Sequence, residues 1–214
     1  MRAIFLDRDG VICQNRADHV KSWVEFEFLP EAKSGLAALS RLNLPIIVVT
    51  NQAVVGRGIV SATVVEEINR KMVEEITASG GRIDRVIYCP HRPEDNCDCR
   101  KPKPGMLLQA AAEMGLDLKA SYLIGDAMTD IQAGQQVGCH TILVLTGRGS
   151  EQLGSASHVS GGHSPLVFHD LLEAADYILK SHLGISETSE PSGLAGYQQI
   201  LDSQFVSRLK NTCL

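Results

Sequence analysis

Ile4-Phe5-Leu6-Asp7-Arg8-Asp9-Gly10 is the stretch whose reading decides the fold. The apolar run from Ala3 to Leu6 stops abruptly at two carboxylates and a glycine. Four apolar residues bounded by a glycine turn fit a buried strand better than a helix. The strand is therefore expected to end at Asp7, with both acids in the loop at its carboxyl end. Residues at i and i+2 leaving a strand point to the same side, so Asp7 and Asp9 should face one site. Close carboxylates raise one another's pKa unless a cation lies between them. Taken alone, the pair is also what a solvated acidic turn looks like.

The same pattern recurs downstream. Pro45 to Val49 is a second apolar run, ending at Thr50-Asn51-Gln52. Arg85 to Cys89 is a third, Ser121 to Ile124 a fourth leading directly into Gly125-Asp126, and Thr141 to Leu145 a fifth. Helical periodicity lies between them. Pro30 starts a helix over Glu31 to Leu42, with Ala32, Leu36, Leu39 and Leu42 as its apolar stripe. Thr63 and Glu66 are spaced as a capping box ahead of Val65, Ile68, Met72 and Ile76. Further helices are expected from Met106 to Met114, up to Val137, and from Asp170 to Leu183. Asn15 to Phe28 reads as an irregular flap, Ala53 to Ile59 as a loop carrying Arg57, and Cys89 to Gly105 as a long shaped loop. Ser150 to Pro165, rich in Ser, Gly and His, reads as a mobile connection in which His158 and His163 are solvated.

Strands alternating with helices imply an α/β fold, a Rossmann-like doubly wound parallel sheet covered on both faces. Residues 1–183 are expected to form the domain and 184–214 a loose tail, with Tyr197 to Leu209 helical. In such sheets ligands bind at the carboxyl ends of the strands. Asp7, Thr50 and Asp126 each sit there, and Lys101 follows the loop after a third strand.

Composition narrows the class. With 44% apolar and 21% charged residues among 214, the chain has the balance of a globular protein. Its formal charge of −5 gives no general electrostatic reason to bind nucleic acid or an anionic membrane. No run approaches a membrane span and no signal-type segment precedes the first strand, so a cytoplasmic, monomeric protein is expected.

Consider what the strand-end residues can do together. Asp7 is a candidate carboxylate nucleophile, of the kind that forms an aspartyl-phosphate. Asp9 is placed to protonate a leaving oxygen and later deprotonate water. Asp126 completes an oxygen-only Mg²⁺ site with Asp7 and the Asp9 backbone carbonyl. Asp130, four residues on, would support that site or fix Lys101. Thr50 and Lys101 offer a hydroxyl and a positive charge to phosphoryl oxygens. Asn51, Gln52 and Arg57 are candidates for substrate contact on the same rim. A small phosphorylated substrate follows from this set.

A second constellation is Cys89-Pro90-His91 followed, after five residues, by Cys97-Asp98-Cys99. Three thiolates and one imidazole make a closed tetrahedral Zn²⁺ site, structural because no position is left for substrate. Bound zinc would fix Arg100 and Lys101 in a loop with no other regular support.

In combination, Asp7-Arg8-Asp9-Gly10, Thr50-Asn51-Gln52, Lys101, and Gly125-Asp126 with Asp130 resemble the four motifs of the haloacid-dehalogenase-like phosphatases, in order. That resemblance implies Asp7 as nucleophile, Asp9 as acid/base, Thr50 and Lys101 as phosphate ligands, and Asp7, Asp9 and Asp126 as Mg²⁺ ligands. The segment between Asp7 and Thr50 is too short for an inserted cap domain, which resembles the capless members. The Cys–His spacing, with Arg100-Lys101-Pro102 after it, resembles the zinc loop of the D-glycero-D-manno-heptose-1,7-bisphosphate 7-phosphatases and related histidinol-phosphatases. There the resemblance assigns Arg100 to substrate recognition. Asp18-His19-Val20 in the flap and Ala53 after Thr-Asn-Gln depart from that family's pattern. A receiver domain would carry its phospho-acceptor after an internal strand, and a zinc-dependent interaction or nucleic-acid module is favoured locally by His91, Arg92, Arg100, Lys101 and Lys103 but not by the net charge.

Overall fold

Each apolar run becomes a strand of one all-parallel sheet. The computed structural model describes residues 1–156 and 164–184. Its strands are β1 (Ile4–Leu6), β2 (Ile46–Asn51), β3 (Arg85–Cys89), β4 (Tyr122–Gly125), β5 (His140–Val144) and β6 (Leu166–Phe168). They lie in the order β3-β2-β1-β4-β5-β6. β1 is central, paired to β2 through Ile4↔Ile46 and to β4 through Leu6↔Ile124. The chain winds outward from β1 in both directions, so β1 and β4 flank the point where the strand order reverses. A crevice at the carboxyl ends is expected there.

Alternation along the strands divides the core. Ile4, Leu6, Ile46, Val48, Tyr122, Ile124, Ile142 and Val144 face one side. There they pack on α1 (Ala32–Leu39), α3 (Ala62–Ala78) and α7 (Leu171–Leu183). Phe5, Ile47, Val49, Ile87 and Leu123 face the other, against α4 (Gly105–Met114) and α5 (Met128–Gln136). Leu143 and Val167 join Ile131 of α5 and Leu153 of α6 (Gly149–Ala156). Burial on both faces explains why these runs lack polar alternation. Between β1 and β2 lie only α1 and a 3₁₀ turn at Trp23–Glu25, so no cap domain interrupts the sheet there. Trp23, Phe26 and Phe28 pack together to hold that flap.

Several local expectations are corrected. α3 is capped by Ser61, whose hydroxyl accepts from Val64 N at 3.3 Å, and not by Thr63, which lies inside the helix. The Ala53 loop contains a short helix, α2 (Ala53–Gly56). α1 starts two residues after Pro30 because Glu31 takes a left-handed φ of 62°. The Ser150 to Pro165 connection begins as α6, and an unexpected sixth strand follows it. His158, His163 and the helix expected at Tyr197 to Leu209 lie outside the described residues.

Candidate active site

Asp7 and Asp126 leave neighbouring strands at the reversal point, and Asp7 N donates to Ile124 O at 2.9 Å. Gly10 lets their loops meet. Its φ is +91°, and a Cβ there would lie 2.1 Å from Asp126 Oδ2, so only glycine fits. Gly147, after β5, approaches both Gly10 and the same carboxylate, and Arg148 N donates to Asp126 Oδ2 at 2.8 Å. Thr146 ties that loop to the first by donating to Gly10 O at 2.7 Å.

Asp7, Asp126 and Asp130 bring carboxylate oxygens within 4.8 Å of one another, all buried. Burial, with three neighbouring acids against one lysine, raises Asp7 to about 7. Burial raises Asp126 to about 6, opposed by the Arg148 amide. Lys101 answers part of this charge. Its ammonium lies 2.9 Å from Asp7 Oδ1 and 2.5 Å from Asp130 Oδ1, and donates to Val49 O at 2.7 Å. Burial opposes its charge, yet Asp130 and Asp7 hold its pKa above the ordinary lysine value. Asn51 fixes the lysine backbone with two hydrogen bonds, accepting from Lys101 N and donating to Lys101 O, each 3.1 Å. Asp130 Oδ2 accepts from Ala127 N at 3.1 Å. Asp126 Oδ1 is buried without a hydrogen-bond partner among the described residues. A buried carboxylate oxygen left bare is costly. An oxygen-ligated divalent cation beside Asp7 fits that oxygen, this charge excess and this donor set.

Asp9 faces a different set of donors. Arg8 Nε and Nη2 reach its two oxygens at 3.1 Å each, and Gln52 Nε2 donates to Oδ2 at 2.9 Å. Thr50 Oγ1 is 3.3 Å from the same oxygen. Burial pushes the Asp9 carboxyl up, but Arg8, Gln52 and Cys13 outweigh it and hold it below the ordinary value. Thr50 and Gln52 thus both touch Asp9, and Gln52 is 4% exposed, in contact with the acid and not with open solvent.

The Cys–His loop closes as its spacing implied. Cys99 Sγ lies 3.2 Å from Cys89 Sγ and 3.4 Å from Cys97 Sγ, and His91 Nδ1 is 3.3 Å from Cys99 Sγ. Sulfurs about 2.3 Å from a tetrahedral Zn²⁺ stand roughly 3.7 Å apart, so the cluster is close to a zinc cage. The imidazole presents Nδ1, a detail the spacing did not fix. Burial pushes the Cys89 thiol up, while at Cys97 hydrogen bonds from Cys99 and Cys89 overcome burial and bring it to about 7.

A family model described as "HAD-hyrolase-like" matches residues 98–174. A D-glycero-beta-D-manno-heptose-1,7-bisphosphate 7-phosphatase of Pseudomonas aeruginosa is 37% identical over 177 residues, covering 83% of this chain and 97% of that one. The enzyme of the same name from Neisseria meningitidis serogroup A is 37% identical over 182 residues, 85% and 97% of the two chains. The chain belongs to this family of haloacid-dehalogenase-like phosphatases. Among solved structures, a D,D-heptose 1,7-bisphosphate phosphatase of B. bronchiseptica, crystallised with magnesium and phosphate, superposes with a TM-score of 0.79. It is 35% identical, over 85% of this chain and 99% of that one.

Within this phosphatase family fold, the rim brings Asp7, Asp126, Asp130, Lys101 and Asn51 together, with Asp9, Thr50 and Gln52 as a second group. It does not bring the outlying cations to the carboxylates. Arg57 is exposed and pairs with His19 Nε2 of the flap at 3.3 Å. Arg100 donates to His91 O at 3.2 Å, and Lys103 is drawn back to Asp98 at 3.0 Å. Sequence reasoning left Arg8, Asn69 and the Thr146-to-Arg148 loop without roles. Arg8 stood inside the quoted motif; a charged residue between two acids at a strand end was the available signal. For Asn69 the available signal was a polar residue four after Val65 and three before Met72, on the apolar stripe of its helix.

Proposed function

We propose that the protein is a Mg²⁺-dependent phosphomonoesterase that works through an aspartyl-phosphate on Asp7 and removes the 7-phosphate of D-glycero-D-manno-heptose 1,7-bisphosphate. The observation that carries the chemistry is the Asp7 carboxylate, buried at the strand reversal between Lys101 and the bare oxygen of Asp126. An Asp7 oxygen attacks phosphorus as the P–O bond to the sugar breaks, and the leaving oxygen takes a proton from Asp9, which picks it up from the substrate's monoanionic phosphate as that charge arrives beside it. Water then gives a proton to Asp9 as it attacks the phosphoryl group, releasing inorganic phosphate and the Asp7 carboxylate. Asp7, Asp126 and the Asp9 carbonyl would hold Mg²⁺, which would supply positive charge against the phosphoryl oxygens. Lys101, fixed by Asn51, supplies a second positive charge, and Thr50 a hydroxyl. Asp130 keeps Lys101 in place.

The names of the relatives support the sugar bisphosphate. So does the chemistry of the rim. Once one phosphate is held near Asp7, Arg57 and Arg100 remain as cations beside the flap and the zinc loop. Arginine can grip a second phosphate with two hydrogen bonds, which a monophosphate does not exploit. Histidinol phosphate ends in a cation and would be repelled. The test is kcat/KM for heptose 1,7-bisphosphate against histidinol phosphate in the purified Mg²⁺-loaded protein. The bisphosphate should win by at least about tenfold, and Arg100→Ala should narrow that gap. Equal or reversed efficiencies would replace the heptose assignment with the histidinol one.

A further inference from the structure

Among the described residues Arg8 has the largest fully buried side chain, at 1% exposure. A guanidinium withdrawn from water needs partners that repay its desolvation. Two are present. Nε and Nη2 take the two oxygens of Asp9 along one edge, and Nη1 donates to Asn69 Oδ1 at 3.0 Å. Asn69 is itself anomalous. It lies on the core face of α3 with Val65, Ile68, Met72 and Ile76, where every other buried residue of the helix is apolar. An amide there costs stability unless its oxygen is used, and Arg8 uses it.

The consequence for Asp9 is geometric. Oδ2 accepts from Arg8, Gln52 and Thr50, which saturates it. Oδ1 accepts from Arg8 and, weakly, from the Cys13 thiol at 3.6 Å. The Asp9 side chain remains 22% exposed, and Oδ1 has fewer donors than Oδ2. We infer that Arg8, braced from α3 by Asn69, is a positioning residue that fixes the plane of the Asp9 carboxylate and leaves Oδ1 as the oxygen that exchanges the proton. The brace joins the loop after β1 to a helix residue 61 positions further along the sequence. This rests on the reading of Asp9 as the acid/base of the proposed reaction.

The test exploits leaving groups. An alkyl phosphate departs as a strongly basic oxygen and needs the proton, whereas 4-nitrophenyl phosphate departs as a stable anion and needs it little. The second-order constant kcat/KM reports only the steps through transfer to Asp7, where that proton is delivered. Wild-type, Arg8→Lys, Asn69→Leu and Asp9→Asn proteins are compared with both esters and saturating Mg²⁺. Arg8→Lys keeps the charge but loses the two-point grip. Asn69→Leu keeps branching at Cγ and removes the acceptor together with the amide donor, so it carries the test if Arg8→Lys does not fold. Acid catalysis contributes roughly 10²–10⁴-fold, so both variants should lose at least about tenfold more on the alkyl ester than on the aryl ester. Equal losses on both esters would reduce Arg8 and Asn69 to a structural role and overturn the inference, as would no loss on either. Asp9→Asn separates this from the parent reading: if it too shows no leaving-group selectivity, the acid role of Asp9 fails; if it alone shows selectivity, only the positioning role fails.

Discussion

Two polar clusters sit on this protein, at the sheet rim and in the loop after β3, and opposite means hold them. Asp7, Asp126 and Asp130 are each at most 7% exposed, and a parallel strand, a glycine contact or a helix N-terminus places every one. Their backbone positions follow from the strands and helix that carry them. His91, Cys97 and Cys99 lie in an irregular loop whose regular structure is one 3₁₀ turn at Pro93–Asp95. Its first half is tied to the body by Gly56 N to Pro90 O at 2.9 Å and Gln52 N to Cys89 O at 2.7 Å, and its second half by Asn51 and the Lys101 ammonium. At the rim the fold prepares a site for a metal. In the loop a metal would prepare the fold, and through Arg100 and Lys101 it would reach the rim.

The first way to break that contrast is at the nucleophile. Asp7→Asn removes one charge from a cluster held by the sheet, so fold and zinc content should be retained while turnover falls by at least about 10³-fold. A variant keeping a tenth of wild-type rate would contradict covalent catalysis. The second is at the loop. The purified protein should hold one Zn²⁺ per chain by elemental analysis, since the four ligand atoms already converge. Cys97→Ser should lower the melting temperature and cost about tenfold in turnover by loosening Lys101, with Mg²⁺ binding at the rim far less affected. A zinc-free wild-type protein, or a fully stable and active Cys97→Ser variant, would remove the structural metal.

The third and smallest effect sharpens the rim half. Asp7 is raised from 3.8 to about 7 and Asp126 to about 6, mainly by burial. Raised carboxyls bind protons more readily in the native chain than in the unfolded one. In the metal-free protein their ionisation therefore costs stability as pH climbs from the ordinary carboxylate value through about 7. Mg²⁺ binds the ionised form, so the melting-temperature gain from Mg²⁺ should grow between pH 5.5 and pH 8. A gain independent of pH would mean that neither carboxyl titrates on metal binding.

The same contrast explains what the sequence could disclose. Strands buried on both faces write continuous apolar runs, so β1 to β5 and the acids at their ends were legible, as was the spaced Cys–His set. β6 escaped because three residues, Leu166–Phe168, give no period, and they adjoin a Ser/Gly/His-rich stretch. The cap of α3 is displaced because Thr63, with Glu66 three residues on, fits the capping-box spacing while Ser61, followed by Val64, does not, and only backbone geometry puts Ser61 at the cap. The direction of Gln52 toward Asp9, the grip of Asn51 on Lys101 and the Arg8–Asn69 bond are contacts between distant segments. Such contacts leave no local pattern.

The stereochemical course at phosphorus tests the central claim most directly. A substrate whose transferred phosphoryl group is chiral through oxygen isotopes is turned over by the Mg²⁺-loaded protein in isotopically labelled water. Attack by Asp7 followed by attack of water gives two in-line displacements, so the released phosphate should show retention of configuration. Inversion would mean a single direct attack by water, and would contradict an aspartyl-phosphate on Asp7.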